Sequence, residues 1–235
     1  MNLLGDNAFS LPETRRLLAL EWALAQRQAR SAIAGPALSI GPREDAAAPQ
    51  LNDRPHLSHL YVRGQALCGD FECAASALPW TTDSASLLIV RHALELLPAD
   101  SGLERELTRV LAPGGTLVLF GLNPLSTWRL WWLRQSRSGV CVPRFHGVAH
   151  VRRRLEGLGL ATGAHEFLGG NWPLAGDGGI TPLHAKRGAR WHGAWMLVAR
   201  KSGVSARPIP LRSRGKQRAA LGAGFAQPAN RRASA

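Results

Sequence analysis

Cysteine is scarce in this sequence, and so are long apolar runs. Three cysteines occur, Cys68, Cys73 and Cys141, and neither their odd number nor their spacing fits a disulfide framework or a CxxC zinc site. No stretch approaches the roughly 20 consecutive apolar residues that a membrane-spanning helix requires. The first ten residues contain Asp6 and lack a basic region followed by an apolar stretch, so we expect a cytoplasmic protein.

Acidic residues are absent from the end of the chain. Residues 200–235 carry nine lysines and arginines and no acid, which leaves about +4 of the formal net charge of +13 for the rest. This stretch has too few large apolar side chains to offset the entropy of ordering it. We expect a basic disordered tail over 202–235, which is either a solvated linker or a weak binder of nucleic acid or of an anionic surface.

What remains is enough for one domain, since the chain has 235 residues and 45% hydrophobic composition. Apolar residues at helical spacing, with Glu21 among the polar residues between them, predict an amphipathic helix from Leu11 to Ile33. Pro12 lies near its start and Gly35-Pro36 after its end. We therefore divide the chain into an N-terminal helical segment (1–36), a domain (37–201) and the tail (202–235).

The middle of the chain predicts a βαβ unit. Strand formers at 86–90 are followed by a helical pattern at 103–111, by Pro113-Gly114-Gly115, which we expect to stop that helix, and by a strand at 116–120. A βαβ unit implies a parallel sheet with a right-handed crossover. Further strands are predicted at 37–40, 57–62, 161–168 and 195–199, and a further helix at 148–158.

Three motifs in the βαβ region resemble those of a known family. They are Leu78-Pro79-Trp80, the stretch LLIVRHALE at 87–95 and the stretch LTRVLAPGGTLVLFGLN at 107–123. Together they resemble the second half of class I S-adenosylmethionine (SAM)-dependent methyltransferases, with an LPF-like turn, an H-x-L-E sequence after a strand and a PGG turn into the next strand. The order and spacing of all three make the resemblance fairly specific.

More narrowly, the chain looks like a divergent proteobacterial subgroup of type 11 methyltransferase-like proteins. The matching features are L-x-x-G-P at 38–42, G-x-N-P at 121–124 and L-V-A-R-K at 197–201. The resemblance implies a Rossmann-like, doubly wound α/β fold with a mostly parallel sheet and an antiparallel last strand. It also implies SAM as cofactor and methyl transfer to an acceptor that the sequence does not identify.

The predicted cofactor site lies where loops diverge at the carboxyl ends of the parallel strands. His92, at the end of a strand, is the candidate general base; the more ordinary interpretation is that it forms part of the crevice wall and hydrogen-bonds a backbone group. The residues that we expect to bind the cofactor are Ile40, Gly41, Pro42, Leu78, Pro79, Trp80, Arg91 and His92.

The sequence also departs from the family pattern. Only Gly41 stands where the family has a G-x-G-x-G loop, and Arg63 lies near the place of the acid that holds the ribose. Residues 74–77 lack the polar residue that binds the adenine amine. These departures keep open an alternative, a catalytically inactive methyltransferase-like module that binds a partner or nucleic acid. A dehydrogenase ranks below both, because the G-x-G-x-x-G fingerprint is absent.

A segment rich in tryptophan and arginine, 128–137, allows several interpretations. Core packing or a cap over the crevice is favoured over a nucleic-acid stacking surface or a membrane-interface site. The residues concerned are Trp128, Arg129, Trp131, Trp132, Arg134 and Arg137.

Overall fold

The computed structural model describes residues 9–42, 51, 57–173 and 189–203, all within one unit that spans residues 1–204. The predicted tail lies outside the described residues from residue 204 onwards. In chain order the elements are α1 (Pro12–Ser31), β1 (Ala37–Gly41), β2 (Leu57–Arg63), β3 (Ala66–Gly69), β4 (Cys73–Ala74), β5 (Ala85–Arg91), α2 (Ala93–Leu96), α3 (Leu103–Val110), β6 (Leu111–Leu122), α4 (Trp128–Ser136), α5 (Val148–Gly157), β7 (Leu160–Leu168), a 3₁₀ turn (Ala189–Trp191) and β8 (Ala194–Lys201).

The described strands form one eight-stranded sheet in the order β4-β3-β2-β1-β5-β6-β8-β7. Strand β1 pairs in parallel with β2 on one side and β5 on the other, and β5 pairs in parallel with β6. The last strand, β8, is antiparallel to both β6 and β7. The predicted mostly parallel sheet with an antiparallel last strand is confirmed. The hairpin partner β3, antiparallel to β2, was not predicted.

Helices cover both faces of the sheet, as a doubly wound fold requires. On one face α3 and α5 pack against side chains such as Leu88 and Val90 of β5. On the other face α1 and α4 pack against the alternate residues of the same strand, Leu87 and Ile89. All seven residues of β5 are buried, which explains its continuous run of apolar side chains. Among the described residues, no helix has both the length and the apolarity to cross a membrane.

The PGG sequence lies within a strand, whereas it was predicted to lie in the turn before that strand. We expected Pro113-Gly114-Gly115 to stop α3 before the next strand, but β6 begins at Leu111, directly after α3. The ladder with β5 pairs Ala85 with Leu111 and then Leu87 with Thr116, so the chain between Leu111 and Thr116 bulges from the sheet. Gly114 has a φ of +78°, a conformation that glycine adopts without strain.

Candidate functional site

The reversal of strand order on either side of β1 brings the ends of β1 and β5 together. Ile40 pairs with Val90, so the next residues along each strand, Gly41 and Arg91, lie at the same edge of the sheet. Pro42 follows directly, and it is buried like Ile40 and Gly41 before it. This edge is where open α/β sheets hold their ligands.

Helix α1 is attached to this edge through Arg91. The Arg91 side chain is 2% exposed, and its Nη1 donates to the carbonyl oxygen of Leu18 at 3.5 Å. Its guanidinium carbon lies 5.2 Å from the ring centroid of Trp22, a cation–π contact. Because both partners belong to α1, this helix lies across the end of β5.

His92 is the centre of a buried charged cluster. Its backbone has φ 55° and ψ 12°, a left-handed conformation that few residues other than glycine adopt. The ring is fully buried, with Nε2 2.8 Å from Oε1 of Glu21. The Phe9 ring stacks on it at a centroid distance of 4.6 Å. His92 is therefore covered by α1 and Phe9 and bonds a side chain rather than a backbone group.

Glu95 joins the same cluster from the opposite side of the imidazole. Its Oε2 lies 3.9 Å from Nδ1 of His92, and its Oε1 accepts the backbone N–H of Leu122 at 2.8 Å. A Cβ on Gly121 would lie 2.7 Å from that Oε1 and 2.2 Å from the Trp195 ring, so this position has room only for glycine. The H-x-L-E motif thus ties the ends of β5 and β6 to α1.

The cluster has strongly perturbed proton affinities. Burial raises the pKa of Glu95 to about 7, although His92 and the Leu122 N–H act in the opposite direction. Burial lowers the pKa of His92, but Glu21 and then Glu95 outweigh that effect, so its pKa is raised overall. The Oε2 atoms of Glu21 and Glu95 are buried and accept no hydrogen bond within the described part of the chain. The site thus combines an imidazole whose protonated form its neighbours favour with two buried glutamate oxygens that have room for a further donor.

Glu21 was missed by the sequence analysis, which counted it among the polar positions of the N-terminal helix. The side chain is fully buried instead. It follows Leu17 and Leu18 by four and three residues and precedes Leu24 and Ala25 by three and four, so it lies in the middle of the apolar stripe. An acid at such a position was the signal that could have identified it.

The Leu78-Pro79-Trp80 turn lies along α3. Arg109 donates from Nη2 to the Leu78 carbonyl oxygen at 3.0 Å and from Nη1 to that of Trp80 at 2.8 Å. Glu106 accepts the Leu78 N–H at 3.0 Å and pairs with Arg109 at 2.7 Å. These hydrogen bonds join the turn to α3 and not to Gly41 or Arg91, so its part in cofactor binding stays a prediction.

The three tryptophans of α4 are core residues. Trp128, Trp131 and Trp132 are 6% exposed or less, and their rings pack edge to face along the helix. The core-packing interpretation is therefore confirmed for them, and a role in stacking nucleic-acid bases is wrong.

In the described ranges, no three His, Cys, Asp or Glu side chains are grouped to hold a metal ion.

Comparison with known proteins supports the assigned fold, although it finds no relative by sequence. No protein-family model and no curated protein matches the chain. A solved SAM-dependent methyltransferase from Thermotoga maritima is similar, with 13% identity, a TM-score of 0.55 and coverage of 81% of this chain and 95% of that one. A geranyl diphosphate C-methyltransferase from Streptomyces coelicolor A3(2), solved with S-adenosyl-L-homocysteine, is also 13% identical, with a TM-score of 0.47 and 80% coverage of each chain. The first structure, which has the higher TM-score, shows that the chain has the class I SAM-dependent methyltransferase fold.

Proposed function

We propose that this chain binds SAM at the carboxyl ends of β1 and β5 and transfers its methyl group to an acceptor. The observation that carries the proposal is the switch in strand order at β1, which places Gly41 beside Arg91 in a sheet of the methyltransferase type. The residues proposed to line the cofactor site there are Ile40, Gly41, Pro42, Arg91 and His92.

The charges at this edge suit the cofactor. SAM supplies an electrophilic methyl group on a positively charged sulfur, and it also carries an ammonium and a carboxylate. The buried oxygens of Glu21 and Glu95 suit positive charge. Methyl transfer mainly requires alignment of the two reactants, so no nucleophile of the protein's own is needed.

His92 acts in this proposal as a positioning residue. With Phe9 stacked on its ring and Nε2 on Glu21, the imidazole holds α1 against the end of β5 and does not meet an acceptor. A role as general base would require α1 and Phe9 to leave the ring. The catalytic assignment of His92 from sequence thus depends on a rearrangement of the N-terminal segment.

The second candidate is a non-catalytic module of the same fold. Burial of His92 beneath α1 favours it, as does the single glycine in the first loop. Such a module would keep the sheet and lose saturable SAM binding.

Three further assignments belong to the proposal without affecting its chemistry. They are membership of the divergent type 11-like subgroup, the cytoplasmic location, and the division into segments 1–36, 37–201 and 202–235. The tail is proposed to contact nucleic acid or an anionic surface weakly, because its charge is entirely positive.

Calorimetric titration with SAM and with S-adenosylhomocysteine tests the proposal. We expect saturable binding of one ligand per chain, abolished by Gly41→Trp, which fills the end of β1. Gly203→Trp is the matched control, because a Cβ there meets no atom within 4 Å, and it should bind like the unchanged protein. Absence of binding to a folded wild-type protein at about millimolar ligand would favour the non-catalytic module.

A further inference from the structure

Helix α4 is apolar on two opposite sides. Its tryptophans face the core, whereas Leu130 and Leu133 are 63% and 50% exposed. These leucines are three residues apart and share one face of the helix. Leu125, three residues before the helix, is 65% exposed as well. A helix that packs one side against a sheet normally presents polar residues on the other, so these leucines require a separate explanation.

Arginines surround the exposed leucines. Arg134 and Arg137 follow Leu130 and Leu133 by four residues and therefore lie on the same face. No acid occurs anywhere between Glu106 and Glu156 in the sequence, a stretch of 49 residues with eight arginines. Within the described residues, the ion pairs formed by the chain do not involve the arginines of α4. We call the following exposed side chains the α4 surface: Leu125, Arg129, Leu130, Leu133, Arg134 and Arg137.

Two half-exposed tryptophans flank the start of α4. Trp172 and Trp191 are 46% and 47% exposed. Trp172 follows Asn171, whose carbonyl oxygen accepts the hydroxyl of Thr127. Trp191 lies between Arg190 and His192. The side-chain amide of Asn123 donates hydrogen bonds to the carbonyl oxygens of Arg190 and His192, at 2.6 and 2.9 Å. Tryptophan in such a position has an apolar body with a polar tip, which suits a boundary between water and lipid.

We propose that the α4 surface docks onto an anionic lipid bilayer. When a helix lies in the plane of the membrane interface, leucines on its apolar face enter the boundary between headgroups and acyl chains. Arginines beside them contact the anionic headgroups. Nucleic acid would match the arginines but would leave the three exposed leucines in water, because bases stack on aromatic rings and not on leucine. The combination of charge and aliphatic exposure therefore favours lipid.

This inference does not depend on SAM binding. Docking involves residues outside the proposed cofactor site, and the experiment needs no cofactor. Its failure would leave the methyltransferase proposal as it stands, and failure of SAM binding would leave the docking surface as it stands.

Flotation of the full chain with lipid vesicles tests the proposal. We expect co-flotation with phosphatidylcholine vesicles that contain about 30% phosphatidylglycerol, and little with phosphatidylcholine alone. The double variant Leu130→Ser/Leu133→Ser should weaken vesicle binding about tenfold. Ile33→Ser is the control, because Ile33 is also exposed, at 57%, but lies outside α4; it should bind like the unchanged protein.

The positive charge of the tail should also attract anionic vesicles, so a charge-matched pair of variants separates the two regions. Arg129→Gln/Arg134→Gln/Arg137→Gln and Arg212→Gln/Arg214→Gln/Arg218→Gln each remove three positive charges. The α4 triple variant should lose more affinity than the tail variant. The proposal is overturned if the leucine double variant floats like wild type, if wild type does not float, or if the α4 arginines support binding to single-stranded poly(U) and not to vesicles. All variants change exposed or tail residues, and circular dichroism confirms that each is folded.

Discussion

Two segments are held to the body of the domain by charged side chains, in opposite environments. Helix α1 is held at the end of β5 by Glu21, His92 and Arg91, all of which are 2% exposed or less. The turn at 78–80 is held on α3 by Glu106 and Arg109, whose side chains are 14% and 33% exposed. Both arrangements use ions and hydrogen bonds to fix the course of the chain.

The two junctions differ in whether water can solvate a charge that has lost its partner. If one partner of a buried pair is removed, the other is left charged in a medium that solvates it poorly, and the cost is several kcal/mol. If one partner of a half-exposed pair is removed, water solvates the other. The α1 junction should therefore respond strongly to substitution and to pH, and the α3 junction weakly and mainly to salt.

The largest effect is expected from Glu21→Ala. It leaves His92 buried without its hydrogen-bond partner and should lower the free energy of unfolding by about 3–5 kcal/mol, measured by urea denaturation. Glu21→Gln is the matched control, because the amide oxygen can still accept a hydrogen bond from Nε2, and it should cost less. A loss below about 1 kcal/mol for the alanine variant would mean that the junction is hydrated.

The second-largest effect should be the change of stability with pH. Glu95 has a pKa of about 7 in the folded state and 4.5 as its ordinary value, so the stability it contributes is lost as pH rises between those values. The raised pKa of His92 acts in the same direction above its ordinary value of 6.5. We expect the free energy of unfolding to fall by roughly 2 kcal/mol from pH 5.5 to 8.

Glu95→Gln provides the control for the pH effect, since the amide oxygen can still accept the Leu122 N–H. Urea titrations at several pH values should then show a flatter profile. An unchanged profile would place the titrating group elsewhere.

A smaller effect is expected from Arg109→Ala on the other face of the sheet. The substitution removes the donors to the Leu78 and Trp80 carbonyl oxygens and the partner of Glu106. The free energy of unfolding should fall less than for Glu21→Ala, and the difference from wild type should shrink as salt is raised. Arg109→Lys keeps the charge and separates its effect from that of the hydrogen bonds. A loss equal to that of Glu21→Ala would remove the distinction between the two junctions.

The smallest effect should come from Asp83→Asn. The Asp83 side chain is 47% exposed and pairs with Lys201 at 2.7 Å, while Lys201 also donates to the Thr108 carbonyl oxygen at the same distance. The change in unfolding free energy should stay within about 0.5 kcal/mol. A larger loss would show that half-exposed pairs in this domain also determine its stability.

The parts of the fold that follow from local pattern were predictable from sequence. The helices near the N-terminus and in the βαβ unit show helical periodicity, the strands of that unit and the last strand show continuous apolar runs, and the structure contains each of them. Strands β3 and β4 were not predicted, because four and two residues are too short to show a pattern. The PGG bulge was not predicted because glycine and proline mark a turn and a bulge alike.

The candidate site was predictable only in its position on the sheet. Strand ends gave Gly41, Arg91 and His92, but the hydrogen-bond partner of the His92 ring is Glu21, which is 71 positions away in a helix where it was counted among the polar positions. Such pairings depend on tertiary packing, which a single sequence does not display. The exposed leucines of α4 were hidden for a similar reason, since the burial of its tryptophans decides which face is free.

Hydrogen exchange with and without S-adenosylhomocysteine tests the central claim most directly, because it reports both binding and its place. We predict that saturating ligand slows exchange in peptides containing residues 40–42 and 91–92, with no change in peptides from β7. Unchanged exchange at the ends of β1 and β5, or protection confined to another part of the sheet, would contradict the assignment of the cofactor site.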